Sequence, residues 1–132
     1  MAIGLAIDVY RYVDFVRGDA VAVEVITAAQ RVAVPFVVLA ELRAGFLGGI
    51  RSHNNELRLS GFLQSPRTDV LYPDEASTRF YALIAVQLRQ AGTPIPTNDI
   101  WIAAHAMETG ADLVSFDRHF AQVEGVAWVE PA

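Results

Sequence analysis

Four carboxylates stand where an ordinary structural role leaves something over. Asp8 directly follows the apolar run Leu5-Ala6-Ile7, and Glu41 lies inside Phe36-Val37-Val38-Leu39-Ala40-Glu41-Leu42. Asp99 follows Pro96-Thr97-Asn98, and Asp117 lies within Ser115-Phe116-Asp117-Arg118-His119-Phe120. Taken singly, Asp8 can make a turn at a strand end, and Asp117 can cap a helix. Asp99 can gain ~0.3–1 kcal/mol from the positive end of a helix dipole. Glu41 is harder to place. Its helix is apolar almost all round, so the carboxylate is expected to be buried there. Burial costs several kcal/mol unless the group is neutralised, paired with an arginine such as Arg43, or bound to a metal. Taken together, acids gathered at strand ends repel one another, and a hard divalent cation is the usual compensation.

The rest of the composition narrows the chemistry. The chain of 132 residues has a formal charge of −5, and its ten basic residues are all arginine, with no lysine and no cysteine. Without cysteine there is no disulfide scaffold, cysteine nucleophile or thiolate metal site. Without lysine there is no phosphate-loop lysine and no Schiff-base chemistry. Receiver domains and haloacid-dehalogenase-like phosphatases, which set a lysine beside their carboxylates, fit poorly for the same reason. A strongly basic nucleic-acid binder is excluded, but one that uses metal ions is not. Setting the four acids aside leaves eleven acids against ten arginines, so much of the acidity belongs to one cluster. The apolar start Met1–Ile7 lacks a basic leader and ends at Asp8. No uninterrupted apolar run is long enough to span a bilayer, and the expected location is the cytoplasm.

The elements that must position these acids alternate along the chain. Ala2–Ile7 reads as a strand buried on both faces. Tyr10–Val16 reads as a short helix stopped by Gly18, and Asp19 caps a second helix through about Gln30. Val32–Val34 is a short strand, and Pro35 opens a helix from Phe36 to about Leu47. Gly48-Gly49 breaks it, and Arg51–Gln64 is a further helix. Val70–Leu71 is a minimal strand. Pro73-Asp74-Glu75 starts a helix that ends before Gly92. Thr97 or Asn98 is expected to cap the next helix, which ends at Gly110. Asp112–Ser115 is a strand, Asp117–Gln122 a short helix and Val126–Val129 a last strand. This order predicts one domain over 1–132, an α/β/α sandwich around a mostly parallel sheet of about five short strands. In such sheets ligands bind beyond the carboxyl ends of the strands, where Asp8 and Asp117 stand.

The acids follow one another at intervals of 33, 58 and 18 residues, and with their flanks they resemble a known family. The pieces are Leu5-Ala6-Ile7-Asp8, Val38-Leu39-Ala40-Glu41-Leu42-Arg43-Ala44-Gly45, Pro96-Thr97-Asn98-Asp99-Ile100-Trp101-Ile102-Ala103-Ala104-His105-Ala106, and Leu113-Val114-Ser115-Phe116-Asp117-Arg118-His119-Phe120. In that order they resemble the PIN-domain nucleases, and most closely the VapC-type toxins of bacterial toxin–antitoxin pairs. One departure is clear. Family members usually follow the first Asp with Thr or Ser and then Asn or another polar residue, whereas here Val9-Tyr10 follows Asp8.

The resemblance implies an endoribonuclease in which Asp8, Glu41, Asp99 and Asp117 hold one or two Mg²⁺ or Mn²⁺ ions, with Asp8 and Asp99 as direct ligands. Ser115 would support the cluster from behind. It further implies an RNA substrate, a small cognate antitoxin and a homodimer. Arg11, Arg43 and Arg118 can clamp phosphate or balance the acids, and the sequence does not choose. His105 reads as a packing or surface residue, and His119 as an exposed first-turn residue or a substrate contact. Trp101, Phe116 and Trp128 read as core or interface aromatics. Phe46, Leu47 and Ile50 belong to the core or to a contact patch. Val9-Tyr10 keeps a second function class open, a PIN-like module that binds RNA or protein without cutting it. A small-molecule phosphatase is a third, disfavoured by the missing lysine.

Overall fold

The computed structural model describes residues 4–130. Five short strands form one sheet: β1 (Leu5–Ile7), β2 (Val32–Pro35), β3 (Thr68–Leu71), β4 (Asp112–Val114) and β5 (Trp128–Val129). Their order is β3-β2-β1-β4-β5, and every pairing is parallel. Six helices complete an α/β/α sandwich: α1 (Val9–Val16), α2 (Ala20–Ala28), α3 (Phe36–Leu47), α4 (Ser52–Leu63), α5 (Glu75–Ala91) and α6 (Thr97–Thr109). A short 3-10 turn, Arg118–Gln122, links β4 to β5.

The pattern follows from what each segment can bury. Ala6, Ile7, Val32, Val34, Leu113 and Val114 are buried, as expected of central parallel strands covered on both faces. Ile26, Leu59, Leu88 and Phe120 close over them from the helices and the 3-10 turn. Each such side chain contributes about 1.5–3 kcal/mol on leaving water. Gly4 is required where the chain enters β1, because a Cβ there would meet the Arg31 carbonyl oxygen at 2.7 Å. Helix α6 ends at Gly110, whose φ of 73° is left-handed.

Several boundaries differ from expectation. β1 begins at Leu5, while residues 1–3 of the expected Ala2–Ile7 strand lie outside the described residues. β3 extends back to Thr68, because polar Asp69 is admitted by a bidentate contact from Arg31. β4 stops at Val114, which leaves Ser115 free to turn towards Asp8. Pro35 is the last residue of β2 and pairs in register with Leu71 before α3 begins. Neither Thr97 nor Asn98 caps α6: Pro96 holds the cap position without a side-chain hydrogen bond, and the Asn98 amide goes to Glu41 instead.

The topology selects one place on the sheet. The chain runs from β1 outward through β2 and β3, then returns to lay β4 on the other side of β1. The β1–β4 boundary is therefore the switch point, where the connections diverge and leave a crevice beyond the strand ends. Asp8 leaves β1 there, and Ser115 and Asp117 leave β4.

Candidate metal centre

Asp8 is 6% exposed and caps α1: Arg11 N–H donates to its Oδ1 at 2.8 Å. The Ser115 hydroxyl donates to its other oxygen, Oδ2, at 2.5 Å. Ser115 in turn accepts from the Asp117 backbone N–H at 2.9 Å, so one buried hydroxyl joins the ends of β1 and β4. Asp117 caps the 3-10 turn, accepting from the His119 N–H at 2.9 Å.

The other side of the crevice is built from α6 and α3. Asp99 lies in the first turn of α6, and its Oδ2 is 2.9 Å from His119 Nδ1. The same ring nitrogen is 3.1 Å from Asp117 Oδ1, so His119 bridges the two acids. Asn98 Nδ2 donates to Glu41 Oε1 at 2.9 Å, which ties α3 to the start of α6. A continuous run of contacts thus passes from Asp8 through Ser115 to Asp117, and through His119 to Asp99. Glu41 is held by the neighbouring Asn98.

Glu41 is exposed, contrary to the burial expected from its apolar helix. The reason is that α3 buries only its first part, with Val37, Val38, Leu39 and Leu42 inside. From Ala40 onward much of its surface faces solvent, so Glu41 needs no partner against burial. Arg43 turns from it to form a bidentate pair with Glu56 at 2.9 and 3.2 Å.

The electrostatics show acids held against one another. Burial pushes the Asp99 carboxyl above its ordinary range, and the charges of Asp117 and Glu41 push the same way, against the His119 hydrogen bond. Its hydrogen bond to the Asp99 carboxylate raises the His119 pKa against desolvation, with the charges of Asp117 and Asp99 adding to it. A cationic imidazole is therefore favoured between two carboxylates. Among the described residues, ligand atoms of Asp99, Asp117 and His119 lie within 4.8 Å of one another, a spacing that one ion can span. This donor set suits a divalent cation: carboxylate oxygens dominate, like charges repel without one, and Ser115 and Asn98 orient two of the acids from behind. The bridging position of His119 carried no signal of its own in the sequence. Only its closeness to Asp117 hinted at it.

The three arginines singled out are drawn into ion pairs, and Arg11 alone of them pairs with an acid of the site. Arg11 Nη2 pairs with Asp14 at 2.9 Å, its Nε is 3.8 Å from Asp8, and its guanidinium lies 4.1 Å over the Phe116 ring. Arg118 reaches Glu130 at 3.3 Å. His105 is buried between Phe36 and Trp101, and Trp128 Nε1 donates to the Ser115 carbonyl, so both pack rather than face the crevice. Phe116 is half exposed.

Comparison with known proteins agrees with this fold. Residues 13–126 match the PIN domain family, a span that begins five residues after Asp8. The chain is 33% identical over 101 residues to Ribonuclease VapC5 of Mycobacterium tuberculosis, covering 76% of this chain and 75% of that protein. It is 34% identical over 101 residues to Ribonuclease VapC1 of Haemophilus influenzae, covering 75% and 73%. Among solved structures, VapBC2 of Rickettsia felis bound to a promoter DNA fragment superposes with a TM-score of 0.85 at 23% identity, over 97% of this chain and 98% of that one.

Proposed function

The chain belongs to the PIN domain family, and from that premise we propose that it is an endoribonuclease dependent on Mg²⁺ or Mn²⁺, the toxin of a toxin–antitoxin pair. The observation that carries this reading is the linking of Asp8, Asp117 and Asp99 at the β1–β4 switch point by Ser115 and His119, with Glu41 tied by Asn98 to the start of α6. The relatives named as ribonucleases supply the substrate class.

In this reading Asp8, Asp99, Asp117 and Glu41 hold one or two ions, directly or through water. A bound divalent ion makes its water more acidic and offsets charge on the phosphoryl oxygens. Asp8 is positioned by two donors, the Arg11 N–H and the Ser115 hydroxyl, and keeps lone pairs free. Ser115 fixes the distance between the ends of β1 and β4. Asn98 holds Glu41 towards the start of α6, where its free oxygen can accept a proton from water. His119 holds Asp99 and Asp117 together by a shared contact. Arg11, balancing Asp8 and Asp14, moderates the charge of the cluster rather than clamping phosphate.

The partner is a small antitoxin protein, as in the VapBC complexes whose folds match, and the toxin is a cytoplasmic homodimer. Leu47 and Ile50, 80% and 99% exposed, give apolar area beside Gly48-Gly49 for such a contact. No helix among the described residues is long and apolar enough to cross a membrane.

A second reading rests on Val9-Tyr10 and on Arg11 beside Asp8: a PIN-like module that binds RNA or protein without cutting it. RNA cleavage in Mg²⁺ and Mn²⁺ separates the two. The wild type is expected to cut, while Asp8→Asn and Asp99→Asn do not. Equal activity in all three, or none in any, overturns the nuclease reading.

A further inference from the structure

The crevice poses an electrostatic problem that its own residues do not solve. An RNA strand carries phosphate charge, and the cluster that would process it is itself acidic. The arginines closest to the acids are spent in ion pairs with Asp14, Glu56 and Glu130. Affinity for the strand beyond the phosphate at the ions is therefore left to other parts of the surface.

Of the ten arginines, Arg11, Arg31, Arg43 and Arg118 pair with acids, and Arg67 donates to the carbonyls of Ile26 and Ala29. Among the described residues, Arg17, Arg51, Arg58, Arg79 and Arg89 form no ion pair. Three of these five converge. Arg17, at the end of α1, with Arg51 and Arg58, at the start and middle of α4, lines one groove between the two helices. The groove holds a cavity of about 360 Å³ with Asn55 as a further polar group, and Tyr12 and Phe46 among its apolar residues. All three arginines are exposed. Glu56, the nearby acid on α4, is already held by both nitrogens of Arg43. On a protein of net charge −5 the three exposed guanidinium groups make this groove a locally positive surface, which attracts an anion.

We propose that the α1–α4 groove is a backbone track for single-stranded RNA, in which Arg17, Arg51 and Arg58 contact successive phosphates while the strand runs on to the acid cluster. The track deepens, and rests on, the ribonuclease reading. The geometry is direct. Asp8 caps one end of α1 and Arg17 the other, so about 13 Å along the helix separates the groove from the acids, at ~1.5 Å per residue. Guanidinium groups pair bidentately with phosphate oxygens, and the ribonuclease reading makes a nucleic-acid backbone the occupant. Contacts of this kind add affinity without reading sequence.

The test is binding, separate from cleavage. A fluorescein-labelled single-stranded oligoribonucleotide is titrated by anisotropy at several salt concentrations, in the Asp99→Asn background so that the probe is not consumed. Replacing Arg17, Arg51 and Arg58 together by Gln should reduce the slope of log affinity against log salt by about 2, at ~0.7 per phosphate contact. Replacing all three by Lys should keep most of it, and Arg79→Gln with Arg89→Gln on α5 should leave it unchanged. Thermal unfolding of each variant confirms the fold. A slope unchanged in the triple Gln variant overturns the track, as does an equal loss in the α5 pair. Selective loss of polyglutamate binding with RNA binding intact also overturns it, in favour of an acidic protein segment. Cleavage by the wild type is scored apart: a lost slope without cleavage leaves the track and removes the nuclease reading, and cleavage with an unchanged slope does the reverse.

Discussion

The two ends of the sheet treat acidic side chains in opposite ways. At the amino end, Arg31 before β2 holds Asp69 of β3 through two nitrogens at 2.7 and 2.6 Å, so the carboxylate has its own counterion. At the carboxyl end, Asp8, Asp99, Asp117 and Glu41 are held by a hydroxyl, an imidazole, an amide and backbone N–H groups. Arg11 stands 3.8 Å from Asp8 and is nearer to Asp14. Acid at the amino end is structural and complete. At the carboxyl end four acids share one imidazole and one arginine at longer range, a balance that a divalent cation would complete.

The largest effect should come from breaking this contrast at the carboxyl end. Asp99→Asn is expected to lower RNA cleavage by at least about 100-fold, beyond the ~10–100-fold usual for groups that only orient a ligand. Its stability should move the other way. Because the folded Asp99 carboxyl is raised, the native state binds protons more readily than the unfolded chain, so stability falls as pH climbs through the interval above about 3.9. Removing the charge lifts that penalty, and the metal-free variant should unfold at neutral pH no earlier than the wild type. A clearly lower midpoint would show that Asp99 is structural.

Next in size is Ser115→Ala. It removes the hydroxyl that joins Asp8 to the Asp117 backbone and strands both groups near the interior. Mn²⁺ affinity should fall about 10–100-fold, and stability by about 1–3 kcal/mol, as measured by calorimetry and denaturant unfolding. Unchanged affinity would separate Ser115 from the centre.

A pH effect remote from the cluster comes third. His105 is buried against Phe36 and Trp101, and desolvation lowers its pKa despite Glu108. A lowered folded value means that its contribution is complete above the unfolded value of about 6.5 and is lost as pH falls below it. Between pH 7 and 5 the wild type should lose more stability than His105→Gln. Parallel profiles would contradict this.

Asp69→Asn should have the smallest effect. A half-exposed pair contributes ~0–1 kcal/mol, so the midpoint should drop by a few degrees at most while cleavage stays unchanged. Loss of activity here would erase the distinction between the two ends.

Much of this was legible in the sequence, because burial in a parallel sheet writes itself as short apolar runs. Helix α3 was readable as Phe36 to about Leu47 from Pro35 and Gly48-Gly49. The strand ends carrying Asp8 and Asp117 were readable because an acid after an apolar run marks where the strand leaves the core. What sequence patterning missed depends on contacts far apart along the chain. Asp69 is admitted to β3 by Arg31, 38 residues away. Glu41 lies in an apolar run, yet α3 turns that side outward, since helix orientation is set by packing against the rest of the fold. The His119 bridge joins residues 20 apart, through a loop whose course the local sequence does not specify.

The most direct measurement is calorimetric titration of Mn²⁺ into the wild type and Asp99→Asn, both first stripped of metal. If the carboxyl end of the sheet is a cation centre, the wild type shows saturable binding at one or two sites, and the variant loses it or is weakened at least tenfold. Equal binding in both proteins, or none in the wild type, would contradict that assignment.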